Sequence, residues 1–228
     1  MATIVVPWRD TDPDRAQAFE FVSTRLHNLL PDARLILADS GHEPFNRAAS
    51  RNHGVTLADE GVVVICDADT IPEVEPLHAA INAAAADGLL HLPYTHYRAL
   101  SKAGTTAARG GTKLRGCHAE LETTCSQGGI LVMRADTWQA AGGMDERFTG
   151  WGFEDAAFHA AVRTVHGDII RHAGTIHHLW HPSDIDFTSN EYAANRALCQ
   201  RYENAYGDPR VMRALQAEHT ATAERTTT

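Results

Sequence analysis

The chain has 228 residues, of which 43% are hydrophobic and 21% charged, an ordinary composition for a globular protein. Its formal net charge of −9, from 20 basic and 29 acidic side chains, argues against a nucleic-acid partner, because phosphate backbones are bound by basic patches. No apolar run approaches the ~20 residues of a membrane span. The N-terminus lacks the basic and apolar regions of a signal peptide. We therefore expect a cytoplasmic protein without a membrane span.

The N-terminal part of the chain alternates between apolar segments typical of strands and amphipathic segments typical of helices. We predict strands over 4–6, 34–38 and 61–66, and helices over 13–30, 46–55 and 73–86. Strands that alternate with helices indicate a mainly parallel sheet with helices on its faces. The sequence therefore predicts an α/β fold, in which ligands bind beyond the carboxyl ends of the strands.

Acidic residues directly follow two of these predicted strands. Asp39 comes after the second strand, and Asp67 and Asp69 come after the apolar third strand, VVVIC. Carboxylates next to a buried strand are costly unless a partner compensates their charge. A divalent cation at this edge of the sheet would be such a partner. The alternative is a solvated acidic turn.

Beyond Tyr94 the periodicity is weaker. We predict strands over 128–133 and 176–180, helices over 135–141, 153–165 and 191–206, and a disordered polar tail from 218. Segment 101–127 shows no periodicity and contains several basic residues, namely Lys102, Arg109, Lys113 and Arg115. A long segment of this kind is either a functional loop that becomes ordered over a ligand or a tolerated insertion. Both interpretations stay open.

Two further clusters contain candidate catalytic or metal-binding residues. In Gly150-Trp-Gly-Phe-Glu-Asp155, the two acids fall in a first helical turn, which the helix dipole favours, but capping does not explain Trp151 between glycines. The segment His177-His178-Leu-Trp-His181 offers several imidazoles. The four cysteines show no standard zinc-ligand spacing, so free thiols are expected.

Together these motifs resemble a known family. GGMDERFTGWGFEDAAF is similar to the C-terminal half of nucleotide-sugar glycosyltransferases of the GT-A fold, such as the β-1,4-galactosyltransferases, the polypeptide N-acetylgalactosaminyltransferases and bacterial chondroitin-type polymerases. FNRAASRNHGVTLA followed by VVVICDADTIP resembles glycosyltransferase family 2. The resemblance covers 3–182. It implies a single GT-A (Rossmann-like) domain over 1–207, with a mixed, mainly parallel sheet flanked by helices, and a C-terminal helix or disordered tail over 208–228.

The resemblance implies a divalent cation, Mn²⁺ or Mg²⁺, bound to the diphosphate of a sugar donor, more readily a UDP-sugar than a GDP-sugar. Asp69 matches the acid that binds the metal. Asp67 matches the acid nearer the ribose or sugar and is a candidate further ligand. His178 is the match for the histidine that completes the metal site, with His177 and His181 as alternatives.

The resemblance also assigns residues to the nucleotide. Pro7, Asp39 and Arg51 match positions that line the base and ribose in such enzymes. For Arg51, an exposed helix arginine without a role in binding is the alternative.

The remaining implied residues surround the transferred sugar. Gly129, Trp151 and Gly152 would allow the donor sugar or the acceptor to approach the backbone, and Trp151 offers a flat face to a pyranose ring. Glu154 would hydrogen-bond the hydroxyls of the donor sugar. Asp155 would be the catalytic base of an inverting transfer, kept ionised by the helix N-terminus.

Other functions remain open. A retaining transfer of the N-acetylgalactosaminyltransferase kind would use a related motif without the second acid as base. A sugar-nucleotidyltransferase would want a glycine-rich phosphate loop, which PWRDTD after the first strand lacks. A non-catalytic sugar- or nucleotide-binding module and a zinc hydrolase are further alternatives. The acceptor could be a protein, a glycan or a small molecule.

Overall fold

The computed structural model describes residues 2–182 and 185–226. Its strands are β1 (Ala2–Pro7), β2 (Arg34–Ala38), β3 (Val62–Cys66), β4 (Thr70–Pro72), β5 (Leu90–Leu92), β6 (His96–Leu100), β7 (Ala119–Thr123), β8 (Ile130–Arg134), β9 (Ile169–Arg171) and β10 (Thr175–His178). Its helices are α1 (Pro13–Leu29), α2 (Arg47–Thr56), α3 (Val74–Asp87), α4 (Lys102–Arg109), α5 (Ala135–Ala140), α6 (Glu154–Val165), α7 (Asn190–Ala205) and α8 (Pro209–Thr226). Within these residues, no helix has both the length and the apolar character needed to cross a membrane.

The strands form two mixed sheets. The larger has the order β2-β1-β3-β8-β5-β9, with β1 parallel to both β2 and β3 and with β8 antiparallel to β3 and β5. The smaller has the order β4-β10-β6-β7, with β10 antiparallel to β4 and parallel to β6. The predicted α/β fold with a mixed sheet and flanking helices is confirmed. The parallel pairs predicted for the N-terminal part are those that β1 makes.

Strand β3 lies in the middle of the main core. All five of its side chains are buried, as the VVVIC run predicts for a strand covered on both faces. Because β1 lies between β2 and β3 in parallel, the carboxyl ends of the three strands share one edge. This topology brings Pro7, Asp39 and Asp67 to the same side of the sheet.

The prediction that 101–127 lacks regular structure is wrong. The segment contains α4, a 3₁₀ turn at Leu114–Gly116 and β7, which pairs antiparallel with β6. At Gly104 in α4, a Cβ atom would lie 2.1 Å from the carbonyl oxygen of His118, so only glycine permits this packing. Strand β7 lies at the edge of the small sheet with mostly exposed side chains, and it therefore has no hydrophobic period to detect.

The C-terminal helices form a second, smaller core. Met212 and Leu215 of α8 are buried with Phe148 and with residues of α6 and α7. Helix α8 continues to Thr226, so the tail predicted to be disordered from 218 is helical that far, and 227–228 lie outside the described residues. The domain boundary after 207 stays a prediction.

Candidate active site

Three potential metal ligands converge where β10 lies beside β4. In the antiparallel register, His178 is opposite Thr70, which places it next to Asp69. The distance from His178 Nε2 to Asp69 Oδ1 is 3.4 Å, and that from His181 Nε2 to Asp69 Oδ2 is 3.3 Å. The ligand atoms of the three side chains all lie within 4.8 Å of one another. We call Asp69, His178 and His181 the metal triad.

His177 lies apart from the triad. Successive side chains of a strand point to opposite faces, and His177 is therefore buried on the other side of β10. In the described part of the chain, neither of its ring nitrogens has a hydrogen-bond partner. Burial, reinforced by the charge of Arg98, lowers the pKa of His177 to about 4. The structure thus groups His181 as well as His178 with Asp69, and separates His177 from them.

The surroundings of Asp69 favour its charged form. Burial alone would raise the pKa of this carboxyl, but His178, His181 and Arg15 outweigh that effect and hold the pKa below its usual value. In return, the hydrogen bond to Asp69 raises the pKa of His181. The triad therefore offers a carboxylate to a cation, and the imidazoles become ligands in their neutral form, because a bound cation displaces their protons.

The other acid of the D-x-D motif, Asp67, pairs with Arg51. Arg51 Nη2 donates to Asp67 Oδ1 at 2.6 Å, and Arg51 Nη1 donates to Asp155 Oδ1 at 3.0 Å. The Arg51 side chain is only 2% exposed, so the alternative of an exposed helix arginine is wrong. Asp67 lies outside the triad, and its role as a metal ligand stays a prediction, as does nucleotide binding by Arg51.

A turn of left-handed residues positions the acids of α6. The φ angles of Gly150, Gly152 and Phe153 are 65°, 99° and 76°. Glycine adopts such angles without penalty, whereas Phe153 does so at a cost, which structures maintain mainly at functional sites. This turn explains the glycines on both sides of Trp151. It presents Glu154 and Asp155 at the start of α6.

The two acids have opposite pKa shifts. Burial alone would raise the pKa of Glu154, but Arg47, 2.8 Å away, and Arg51 lower it. For Asp155, burial outweighs Arg51 and, with the charges of Glu154 and Asp67, raises the pKa to about 6. A carboxyl with this pKa is mostly ionised at neutral pH, although burial and the neighbouring acids raise the pKa, whereas the helix N-terminus was expected to favour the charged form.

Gly128 and Gly129, just before β8, leave room for side chains from other segments of the chain. A Cβ atom at Gly128 would lie 2.1 Å from Asp155 Oδ2, and one at Gly129 would lie 2.9 Å from Ile176 Cδ1. Tyr94 fixes this segment, because its hydroxyl donates to the Gly128 carbonyl at 2.5 Å. Asp155 can therefore occupy its position only because Gly128 has no side chain. Contact of Gly129 with the donor stays a prediction.

The predicted nucleotide residues lie at the ends of β1 and β2. Arg9 donates two hydrogen bonds of 2.7 Å to Asp39, which lower the pKa of that carboxyl to about 2. Pro7 is the last residue of β1, opposite Ala38. Sequence reasoning did not assign Arg9 to this site, although its position just after the first strand was a usable signal. Nucleotide binding by Pro7 and Asp39 stays a prediction.

Trp151 belongs to an exposed aromatic cluster. Its side chain is 45% exposed, and its ring is nearly parallel to that of Tyr192 at 6.3 Å and perpendicular to that of Phe187 at 5.8 Å. Neither partner was predicted from sequence, because no motif or spacing relates them to Trp151.

The site thus combines two mixed sheets, acids at the carboxyl edge of parallel strands and the metal triad beside them. Residues 109–183 match the family model described as the N-terminal domain of galactosyltransferase. This match covers both the Gly-Trp-Gly turn and the histidines of the triad. No curated protein sequence matches the chain.

Solved structures agree with this fold. The Drosophila β1,4-galactosyltransferase 7, as a mutant in complex with manganese, UDP-Gal and xylobiose, is 17% identical with a TM-score of 0.58; the match covers 86% of this chain and 79% of that one. The catalytic domain of the same Drosophila enzyme with xylobiose is 19% identical, with a TM-score of 0.51 and the same coverage. GalNAc-T7 with UDP, GalNAc and Mn²⁺ is 9% identical with a TM-score of 0.55, over 96% of this chain and 55% of that one.

At such identities these structures establish the fold. The resemblance to GT-A glycosyltransferases is confirmed by the fold and by the family match, and together they support a glycosyltransferase.

Proposed function

We propose that the chain is a metal-dependent glycosyltransferase that moves a sugar from a UDP-sugar to a hydroxyl acceptor. The observation that carries this proposal is the metal triad, on the same sheet edge as the acids joined by Arg51. One carboxylate oxygen and two imidazole nitrogens suit Mn²⁺ better than Mg²⁺. Structural neighbours solved with manganese and with UDP or UDP-Gal support both the metal and the donor. The cation would neutralise charge on the leaving diphosphate.

Asp155 is proposed as the base. A carboxylate with a pKa of about 6 is ionised at neutral pH and still basic enough to take the proton of the acceptor hydroxyl. One of its oxygens is held by Arg51, and the other lies above Gly128. We assign Glu154 to hydroxyls of the donor sugar, and Trp151 to the flat face of a sugar ring.

A panel of nucleotide sugars tests the function. With Mn²⁺ present, one UDP-sugar should raise the melting temperature most, because a ligand that binds the native state stabilises it. The same donor should be hydrolysed or transferred with release of UDP. Binding without turnover would indicate a binding module, and conversion of the donor and added pyrophosphate to UTP and a sugar 1-phosphate would indicate a nucleotidyltransferase. A panel without any stabilising donor would contradict the proposal.

The stereochemistry of the product tests the role of Asp155. In a single displacement, the acceptor oxygen attacks the anomeric carbon from the face opposite the diphosphate, so the configuration inverts. Proton NMR of the first product formed should therefore show the anomer opposite to that of the donor. A product with the configuration of the donor would favour the retaining, N-acetylgalactosaminyltransferase-like alternative and exclude Asp155 as the base.

Gly128→Ala should displace the base. The new Cβ would overlap Asp155 Oδ2, and a displacement of about 1 Å costs roughly 10²-fold in rate. Gly116→Ala is the control, because its Cβ would meet only Thr112 Cγ2, at 3.9 Å. Turnover and melting temperature are measured for both variants. A Gly128→Ala enzyme as active as Gly116→Ala would show that the position of Asp155 does not matter.

A further inference from the structure

Arg51 is a buried cation on which acids from two separate segments converge. Its Nη2 atom contacts Asp67 after β3, and its Nη1 atom contacts Asp155 at the start of α6. Nη1 also lies 3.9 Å from Glu154 Oε1. One planar guanidinium group thus joins the D-x-D motif and the proposed base through hydrogen bonds on its two branches.

We propose that Arg51 is a positioning residue, which fixes the proposed base Asp155 relative to Asp67 on the donor side. The inference rests on the proposed function, since it concerns the reaction that Asp155 would serve. It adds to that function an explanation of how the proposed base, Asp155, is aligned with the nucleotide sugar.

The shape of the guanidinium group supports this role. Its planar fork directs two N–H groups along fixed vectors, whereas the ammonium of lysine is a single flexible point charge. Arg51 therefore holds Asp155 Oδ1 while its other branch is held by Asp67. Asp155 Oδ2 remains above Gly128, and this oxygen is the one left to accept a proton.

Arg51 also affects the charge of the base. The titratable and charged groups that act on Asp155 come from several elements and are Arg47, Arg51, Asp67, Tyr94 and Glu154. Among the charged groups, Arg51 is the strongest influence and opposes the rise in pKa that burial causes. Weakening its contact should raise the pKa of Asp155 further. If Arg51 only filled space, the pKa of Asp155 would not depend on its contact with Arg51.

Arg51→Lys is the test, because it keeps a buried positive charge but cannot bridge both carboxylates with one planar group. We expect kcat to fall roughly 10²-fold, as for a base displaced by about 1 Å. The pH below which kcat declines should move upward.

Arg147→Lys is the matched control. Arg147 donates at 2.7 Å to the buried carboxylate of Asp145, which also accepts from Tyr202 of α7, so the same exchange there should lower the melting temperature and leave kcat unchanged. If Arg51→Lys only lowers the melting temperature, with kcat and pH dependence as in the wild type, the positioning role is wrong. That result would leave the proposed function intact.

A measurement without turnover distinguishes a positioning role of Arg51 from a role confined to packing. The carboxyl carbon of Asp155, followed by ¹³C NMR, should titrate at a higher pH in Arg51→Lys than in the wild type, and an unchanged titration overturns the inference. An inactive wild type would instead refute the proposed function. If Arg51→Lys does not fold, Asp67→Ala replaces it: it removes the acceptor that holds one branch of Arg51, so kcat should fall, and a kcat equal to that of the wild type overturns the inference.

Discussion

Replacing His181 or His178 by alanine should reduce Mn²⁺-dependent turnover by on the order of 10³-fold. Each change removes one of the imidazoles that contact Asp69, at 3.3 and 3.4 Å. A bound cation stabilises transition-state charge by several kcal/mol, and each 1.36 kcal/mol is a factor of ten in rate. Calorimetric titration with Mn²⁺ should show weakened binding in both variants.

His177→Ala is the control for this prediction, since it is the same substitution one residue from the triad. His177 is buried on the opposite face of β10, so its loss should leave a cavity and lower the melting temperature while Mn²⁺ still activates the enzyme. Chelation by EDTA should abolish turnover in the wild type, and Mn²⁺ should restore it. Full activity after thorough chelation, or loss of Mn²⁺ binding only in His177→Ala, would refute the metal triad.

Asp155→Asn should lower kcat by roughly 10²–10⁴-fold, the usual contribution of a positioned base. The amide keeps the size of the side chain but cannot accept the proton, so the Kd of the donor should change little. Asp136→Asn is the control, because Asp136 is an exposed acid at the start of α5 that pairs only locally with Arg134. A near-normal rate for Asp155→Asn would exclude this residue as the base.

The pH dependence should follow from the same carboxyl. Burial, partly offset by Arg51, raises the pKa of Asp155 to about 6. A base acts in its deprotonated form, so kcat should be retained above this pH and should fall tenfold per unit below it. The decline should be absent from the residual activity of Asp155→Asn. An identical decline in that variant would assign it to another group.

Much of the site was predictable because local patterns place its parts. An apolar run as long as β3 must be buried, so the acids that follow it had to lie at the sheet edge, where Asp67 and Asp69 are found. The glycines around Trp151 stood out in the sequence but were assigned to close approach of a sugar, and the left-handed angles of Gly150 and Gly152 show that the turn itself requires them. In contrast, β7 and α4 gave no usable pattern, since an exposed edge strand needs no apolar period.

The sequence by itself determined which acids and imidazoles were available and that Asp67 and Asp69 follow a buried strand. Only the tertiary structure decided how they are combined. The antiparallel register of β10 with β4 turns His178 toward Asp69 and His177 away, and the chain beyond the strand brings back His181. Packing of α2 against the sheet buries Arg51 between Asp67 and Asp155, which a helix pattern cannot reveal. Register and burial depend on contacts between residues far apart in the chain, and those contacts set both the metal triad and the pKa of the base.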